Sequence, residues 1–259
     1  MIPLTSEWLA GWVMVFLRAS GLLMVFPVFS APSVPVPIRV ALGALLAFLV
    51  SPMVPGGVAS GMDMAGLIGL MAAEVGIGLL FGFVCRMVFY AVEMAGAIIG
   101  AEIGLSLPPS YNPLTNSQAS VPGTMLNYLA TMLWLVLDLH HWMLVGFQRS
   151  FALLPVGTAG LPEAVLGEVL RWAGLVFVIA LQMAAPVMAV SFIISLVFAV
   201  LGRAVSQMNV FTESFAVRLF SGLVVFGLGF QLMSHQIGNY LGRLPEDVVR
   251  IAALMRVRP

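Results

Sequence analysis

Apolar residues in this chain come in long runs rather than in alternation. Four runs, Trp8–Phe29, Val40–Val54, Met64–Val84 and Met87–Leu105, precede a polar interruption. Three more, Thr124–Phe147, Val169–Leu201 and Phe215–Leu241, follow it. Most are about 20 residues long, enough for a helix to cross a ~30 Å hydrocarbon core. They are also apolar all round, unlike a surface helix of a soluble domain. Strands would need shorter alternating segments closed into a barrel. The pattern therefore predicts an all-α fold of membrane-associated helical hairpins. Proline- and glycine-rich connections such as SAPSVPVPIR, SPMVPGGVASGMD and LLPVGTAGLPEAV separate the runs. The Val169–Leu201 run is too long for one straight span, and a kink is expected at Pro186.

Composition strengthens the membrane assignment. Of 259 residues, 61% are hydrophobic and only 8% charged, against about 25% charged in ordinary soluble domains. The mean hydropathy is +1.08. Net charge is zero and every basic residue is arginine, so no basic patch exists for nucleic-acid binding. Cys85 is the single cysteine, which excludes an intramolecular disulfide and a thiolate metal cluster. Glu7 stands where a signal peptide would carry positive charge, so no cleaved signal is expected.

Three features do not suit a simple bundle of lipid-facing spans. Arg18, Glu74, Glu93, Glu102 and Asp138 lie within the apolar runs. Each would cost roughly 2.5–3.5 kcal/mol at the centre of a lone inserted helix, so they should face protein or water. We expect them to serve as polar contacts between subunits. Small residues also form stripes: Gly96, Gly100 and Gly104; Ala65, Gly69 and Ala73; Gly78 and Gly82. That spacing lets helix backbones approach closely. Finally, Arg203 and Arg218 bracket one connection while Arg243, Arg250, Arg256 and Arg258 lie beyond the next helix. Both groups cannot be cytoplasmic if that helix crosses once. Helices that assemble with partners into a body only partly in lipid would remove the conflict.

Candidate chemistry is sparse, and no enzyme activity is expected. His140 and His141 are adjacent, which predicts different helix faces and no shared metal ion. With Asp138 they could relay protons, but a polar cluster at a helix end is the preferred reading. Glu93 and Glu102 are nine residues apart, about 13–14 Å along a helix, too far for a carboxylate dyad. They could carry protons, or accept hydrogen bonds from a neighbouring subunit; the second reading is favoured. Nucleophile-elbow, phosphate-loop and dinucleotide patterns are absent as placed motifs, and no metal or cofactor is expected. Cys85 reads as a small buried hydrophobe and most of the seventeen methionines as filler.

The interruption itself, AEIGLSLPPSYNPLTNSQASVPG over residues 101–123, is uncharged after Glu102 and broken by prolines. It belongs to a set of stretches that together resemble the FliR family of flagellar export-gate proteins. FLRASGLLMVFPVFSAPSVPVPIRVALGALLAFLVSPMVP, residues 16–55, resembles that family's opening. AAEVGIGLLFGFVCRMVFYAVEMAGAIIGAEIGLSLPPSYNP resembles its central Glu/Gly segment. FALLPVG and ALQMAAPVMAVSFIISLVFAVLGRAVSQMNVF resemble later signatures, in the expected order. SQMNVFTESFAVRL, residues 206–219, is also similar to the hairpin loop of the small Q-type subunit of the same gate. Gln207, Asn209, Thr212 and Arg218 reproduce its spacing.

The resemblance implies a non-enzymatic structural subunit of a type III export channel for unfolded proteins. Residues 1–163 would be P-subunit-like, and residues 164–259 a Q-like hairpin with a C-terminal tail. Partners would be about five P-type and about four Q-type subunits, a B-type export-switch subunit, the secreted substrates and membrane lipid. The location implied is the bacterial inner membrane, in the flagellar basal body, with the helical cone raised toward the periplasm. Gln207, Asn209, Thr212 and Arg218 would form the cytoplasmic entrance loop. Residues 106–122 would plug the pore, carried by Ser106, Leu107, Pro108, Pro109, Tyr111, Asn112 and Pro113. Irregular backbone at membrane depth is tolerated where it lines a cavity; an ordinary surface loop is the competing reading. The chain departs from the family at Leu107-Pro108 and Asn112-Pro113, which leaves open whether Leu107 or Tyr111 makes the seal, and at Ser206 and Ser214, which concern loop shape. A proton-coupled secondary transporter using Glu74, Glu93 or Asp138 is the alternative function.

Overall fold

A computed structural model describes residues 6–31, 33–54, 63–105, 120–158, 160, 163–204 and 209–256. Among them the regular structure is helical, with no strand. The helices are α1 (Ser6–Val25), α2 (Pro27–Ser30), α3 (Val36–Val50), α4 (Met64–Glu102), α5 (Val121–Val136), α6 (Leu139–Leu153), α7 (Glu163–Ala204) and α8 (Val210–Met255), with a 3-10 turn at Ser51–Met53. Five helices are long and apolar enough to cross a membrane, or six spans if the bent pair α5–α6 counts as one. The chain is an all-α membrane protein.

Three boundaries differ from the pattern-based reading. The runs 64–84 and 87–105 form one helix of 39 residues. Arg86, which divides them in sequence, does not break it: its Nη1 donates to the Val25 carbonyl and to Ser30 Oγ, both at 3.3 Å. The 124–147 run, by contrast, is two helices, broken between Val136 and Leu139. Asp138 sits at the bend with φ of 52°, in the left-handed region that Asp tolerates better than most residues. The last helix continues well past Leu241. There Leu241, Leu244, Val248, Ile251 and Met255 are buried, a helical spacing that packs one face. Pro186 lies inside α7 and does not end it.

The chain forms two compact units. The first comprises residues 1–87, 138–173 and 242–259, and the second residues 88–137 and 174–241. Each draws on residues from both sides of position 163.

In the first unit, glycines let α1 and α4 meet backbone to backbone. A Cβ on Gly21 would lie 2.6 Å from the Val75 carbonyl oxygen, and one on Gly82 would lie 2.8 Å from that of Leu22. A Cβ on Gly78 would overlap the Arg18 carbonyl. At this crossing the Arg18 and Glu74 side chains are fully buried and pair through Nε and Oε2 at 2.6 Å. Arg18 Nη1 also donates to Ser150 Oγ at 3.4 Å and to the Leu154 carbonyl at 3.2 Å, and Nη2 reaches the same carbonyl at 3.2 Å. The guanidinium lies 3.9 Å over the Phe151 ring. Glu74 Oε1 in turn accepts from the Gly157 amide at 3.4 Å. Arg18 and Glu74 therefore satisfy each other inside the chain, which corrects the expectation that they face a neighbouring subunit. Elsewhere in the unit, Glu168 pairs with Arg171 and lies 3.7 Å from Arg250 Nε.

In contrast to Gly78 and Gly82, the stripe Ala65, Gly69 and Ala73 is exposed, and a Cβ on Gly69 would meet nothing within 4 Å.

Removing one partner of a buried ion pair strands a charge, at a cost of about 3–5 kcal/mol. Arg18→Ala and Glu74→Ala should each lower the thermal unfolding midpoint of the detergent-solubilised chain markedly. The Arg18→Met/Glu74→Leu double variant should recover most of the loss. Equal damage from the double variant would show that the pair's net charge balance is not what the site requires.

Candidate functional site: the stem of the central polar loop

Residues 106–119, including Ser106, Leu107, Pro108, Pro109, Tyr111, Asn112 and Pro113, lie outside the described residues, as does Gln207. The backbone on both sides of the loop is described, and it is tightly held within the second unit.

On the entering side, α4 stops in two paired backbone bonds. The Leu105 amide donates to the Gly100 carbonyl at 2.9 Å and the Gly104 amide to that of Ala101 at 3.2 Å. This is the Schellman arrangement, which needs a left-handed residue after the helix. Gly104 supplies it with φ of 78°. A Cβ there would also lie 2.6 Å from the Phe215 ring of α8. Ser191 Oγ of α7 donates to the Glu102 carbonyl at 3.0 Å, and a Cβ on Gly222 of α8 would overlap the Ile103 side chain.

On the returning side, Ser120 caps α5, its Oγ accepting from the Gly123 amide at 3.1 Å, and Pro122 follows in the first turn, where a missing amide hydrogen does no harm. Gly96 of α4 lies so close to the Gly123 backbone that a Cβ on Gly96 would overlap it, while a Cβ on Gly123 would lie 2.8 Å from Ser120 Oγ. A Cβ on Gly100 would be 3.0 Å from Ser120 Cβ. Gly96, Gly100 and Gly104 thus bring the loop's two ends together and hold them against α7 and α8.

The other expected polar residues fall in different settings. Glu93 is exposed on α4, Glu102 is half-buried and Asp138 is exposed. Asn209 precedes α8 and its Oδ1 accepts from the Thr212 amide at 3.4 Å. Thr212 and Arg218 lie within α8 itself. Arg218 Nη2 donates to Ser195 Oγ of α7 at 2.9 Å, and Ser195 Oγ donates to the Ser191 carbonyl at 2.7 Å. Ser191, Ser195, Phe215 and Gly222 were not singled out from sequence. Ser191 and Ser195 are one helical turn apart, and that spacing was the available signal.

The histidine pair departs from its expected geometry. Asp138 Oδ1 is 3.9 Å from His140 Nε2 and 3.6 Å from His141 Nδ1, and the imidazole centroids are 4.0 Å apart. Neighbouring residues diverge along a helix, but one ring offers its far nitrogen and the other its near one. Ligand atoms from all three residues lie within 4.8 Å of one another. The argument from adjacency against a shared ion does not hold.

The sequence profile described as bacterial export proteins, family 1, matches residues 9–244. The flagellar biosynthetic protein FliR of Pectobacterium carotovorum subsp. carotovorum is 28% identical over 222 residues, covering 86% of this chain and 85% of that protein. FliR of Escherichia coli K12 is 27% identical over 229 residues, covering 86% and 87%. FliR of Bacillus subtilis strain 168 is 25% identical over 251 residues, covering 95% and 96%.

Gly104→Ala should destabilise the chain twice over, through about 1–2 kcal/mol of left-handed backbone strain and through overlap with Phe215. Adding Phe215→Ala should relieve the overlap and leave the strain. A thermal midpoint for the double variant between those of Phe215→Ala and Gly104→Ala is the expected result.

Proposed function

The chain belongs to the bacterial export proteins, family 1, and from that membership we propose that it is a structural subunit of the flagellar type III protein export gate. It forms part of the channel through which unfolded flagellar proteins pass, and residues 106–122 are the plug. Residues 1–163 act as a P-like part and residues 164–259 as a Q-like hairpin with its tail. The chain assembles in the bacterial inner membrane with P-type and Q-type subunits and contacts the B-type switch, and its core is raised toward the periplasm. Gln207, Asn209, Thr212 and Arg218 lie at the cytoplasmic entrance, and Glu93, Glu102 and Asp138 are polar contacts to neighbouring subunits.

The observation that carries this reading is the loop stem. A segment that blocks a channel and yields to substrate needs fixed ends. The Gly96–Gly123 crossing and the clasp on Ile103 and Gly104 supply fixed ends, and fourteen residues, 106–119, span them. The span carries no Asp, Glu, Lys, Arg or His, so it would interact evenly with chemically varied polypeptides. Likeness over nearly the whole length to flagellar FliR proteins supports the flagellar system. Large apolar side chains exposed on α7 and α8, among them Phe192 at 63% and Phe220 at 78%, suit subunit contacts as well as lipid. The transporter alternative loses one of its candidate carboxylates, because Glu74 is held by Arg18.

Co-expression with the P-type and Q-type subunits of the same source, followed by native mass spectrometry in mild detergent, tests the proposal. The expected mass corresponds to a single copy of this chain in a mixed complex; a chain that ignores those subunits would sink the reading. In that complex, deleting residues 108–118 should make reconstituted vesicles leaky to ions and small solutes. Loss of a transport activity with no leak would favour the transporter instead.

A further inference from the structure

We infer that Asp138, His140 and His141 form a binding site for a single divalent transition-metal ion of the zinc class, placed at the bend between α5 and α6. Two imidazole nitrogens and one carboxylate oxygen are a common ligand set for such an ion, with a water molecule completing the shell. Bonds of about 2.0–2.1 Å in tetrahedral array place ligand atoms roughly 3.3 Å apart. The carboxylate oxygen is 3.6 and 3.9 Å from the two nitrogens, so a small inward turn of the side chains would complete the geometry. Those side chains are 34% (His140), 68% (His141) and 70% (Asp138) exposed, and the turn would displace no packed neighbour of His141 or Asp138.

Two features of the bend favour this use. Asp138 occupies the N-cap position of α6 but makes no side-chain cap bond, so its carboxylate is directed to the imidazoles rather than to the helix amides. The cation would stand at the positive end of α6, which opposes it, yet the negative end of α5 terminates at the same bend and offsets that cost. Binding would join the left-handed residue Asp138 to the first turn of the following helix.

The chain contains three histidines, and its one cysteine, Cys85, is buried, so the competing ligands are few. The test uses the full-length chain in mild detergent with any affinity tag removed, titrated with Co2+ as a coloured zinc substitute and then with Zn2+ in competition. The expected result is one Co2+ per chain with visible bands of nitrogen and oxygen ligation, displaced by Zn2+. His140→Ala and His141→Ala should each weaken binding at least about tenfold, and Asp138→Asn, which keeps the shape of the bend, should weaken it as well. His235→Ala, on α8, should change nothing. A wild-type titration indistinguishable from that of the His140→Ala/His141→Ala variant would overturn the site, as would loss of binding on substituting His235.

Discussion

A guanidinium removed from water must find its hydrogen-bond acceptors within the protein, and Arg18 finds them on two other helices of the first unit. One edge meets Glu74 of α4, and the other meets Ser150 and the carbonyl of Leu154 at the end of α6. The face rests on Phe151. These demands fix the relative placement of α1, α4 and the end of α6 more narrowly than apolar contact could. Lipid-like side chains slide past one another at little cost, whereas a buried ion pair displaced by an ångström or two loses its compensation while its desolvation cost remains. The glycines at 21, 78 and 82 follow from this constraint. Only with α1 and α4 in backbone contact is Arg18 Nε brought to 2.6 Å from Glu74 Oε2.

Among the described residues, the second unit obtains the same closeness without a buried ion pair. There Gly96 meets Gly123, Gly222 receives Ile103, and Gly104 receives the edge of Phe215. Serines take the polar role, with Ser191 reaching the Glu102 carbonyl and Ser195 receiving Arg218. Hydroxyl bonds of this kind cost less to leave and remake than a buried charge pair. The first unit thus has the character of an anchor. The second holds the backbone on either side of residues 106–119 by steric fit and weak polar bonds.

Helical character, membrane affinity and the glycine stripe at 96, 100 and 104 were legible in the sequence because each rests on a local repeat. Gly78 and Gly82 were legible on the same ground, although Ala65, Gly69 and Ala73 have the same spacing and remain exposed. Spacing reports which backbones can approach closely and not which ones do. Partnership across distance was illegible: Arg18 and Glu74 are 56 residues apart, and each alone reads as a polar residue in search of any partner. Arg86 read as a helix boundary since nothing local shows that the end of α1 will accept its hydrogen bonds. Asp138 hid the opposite error, an apolar run that breaks at a residue able to enter the left-handed region. The helix beyond Leu241 was missed because its apolar positions are spaced along one face rather than run together.

The long helices bear on how such a chain can exist in a membrane. At 1.5 Å per residue, the 42 residues of α7 extend about 63 Å, twice a ~30 Å hydrocarbon core. A helix of that length cannot lie wholly in lipid along the bilayer normal, yet α7 carries exposed phenylalanines and leucines over much of its length, including Leu166, Phe177, Phe192 and Leu196. With α7 along the normal, part of that apolar surface would stand outside the hydrocarbon core, where contact with water is unfavourable. The conflict among the arginines in sequence concerns α8, whose 46 residues also exceed a ~30 Å core. The positive-inside rule describes segments that end where the bilayer ends, whereas Arg218, Arg243 and Arg250 all lie within this one helix.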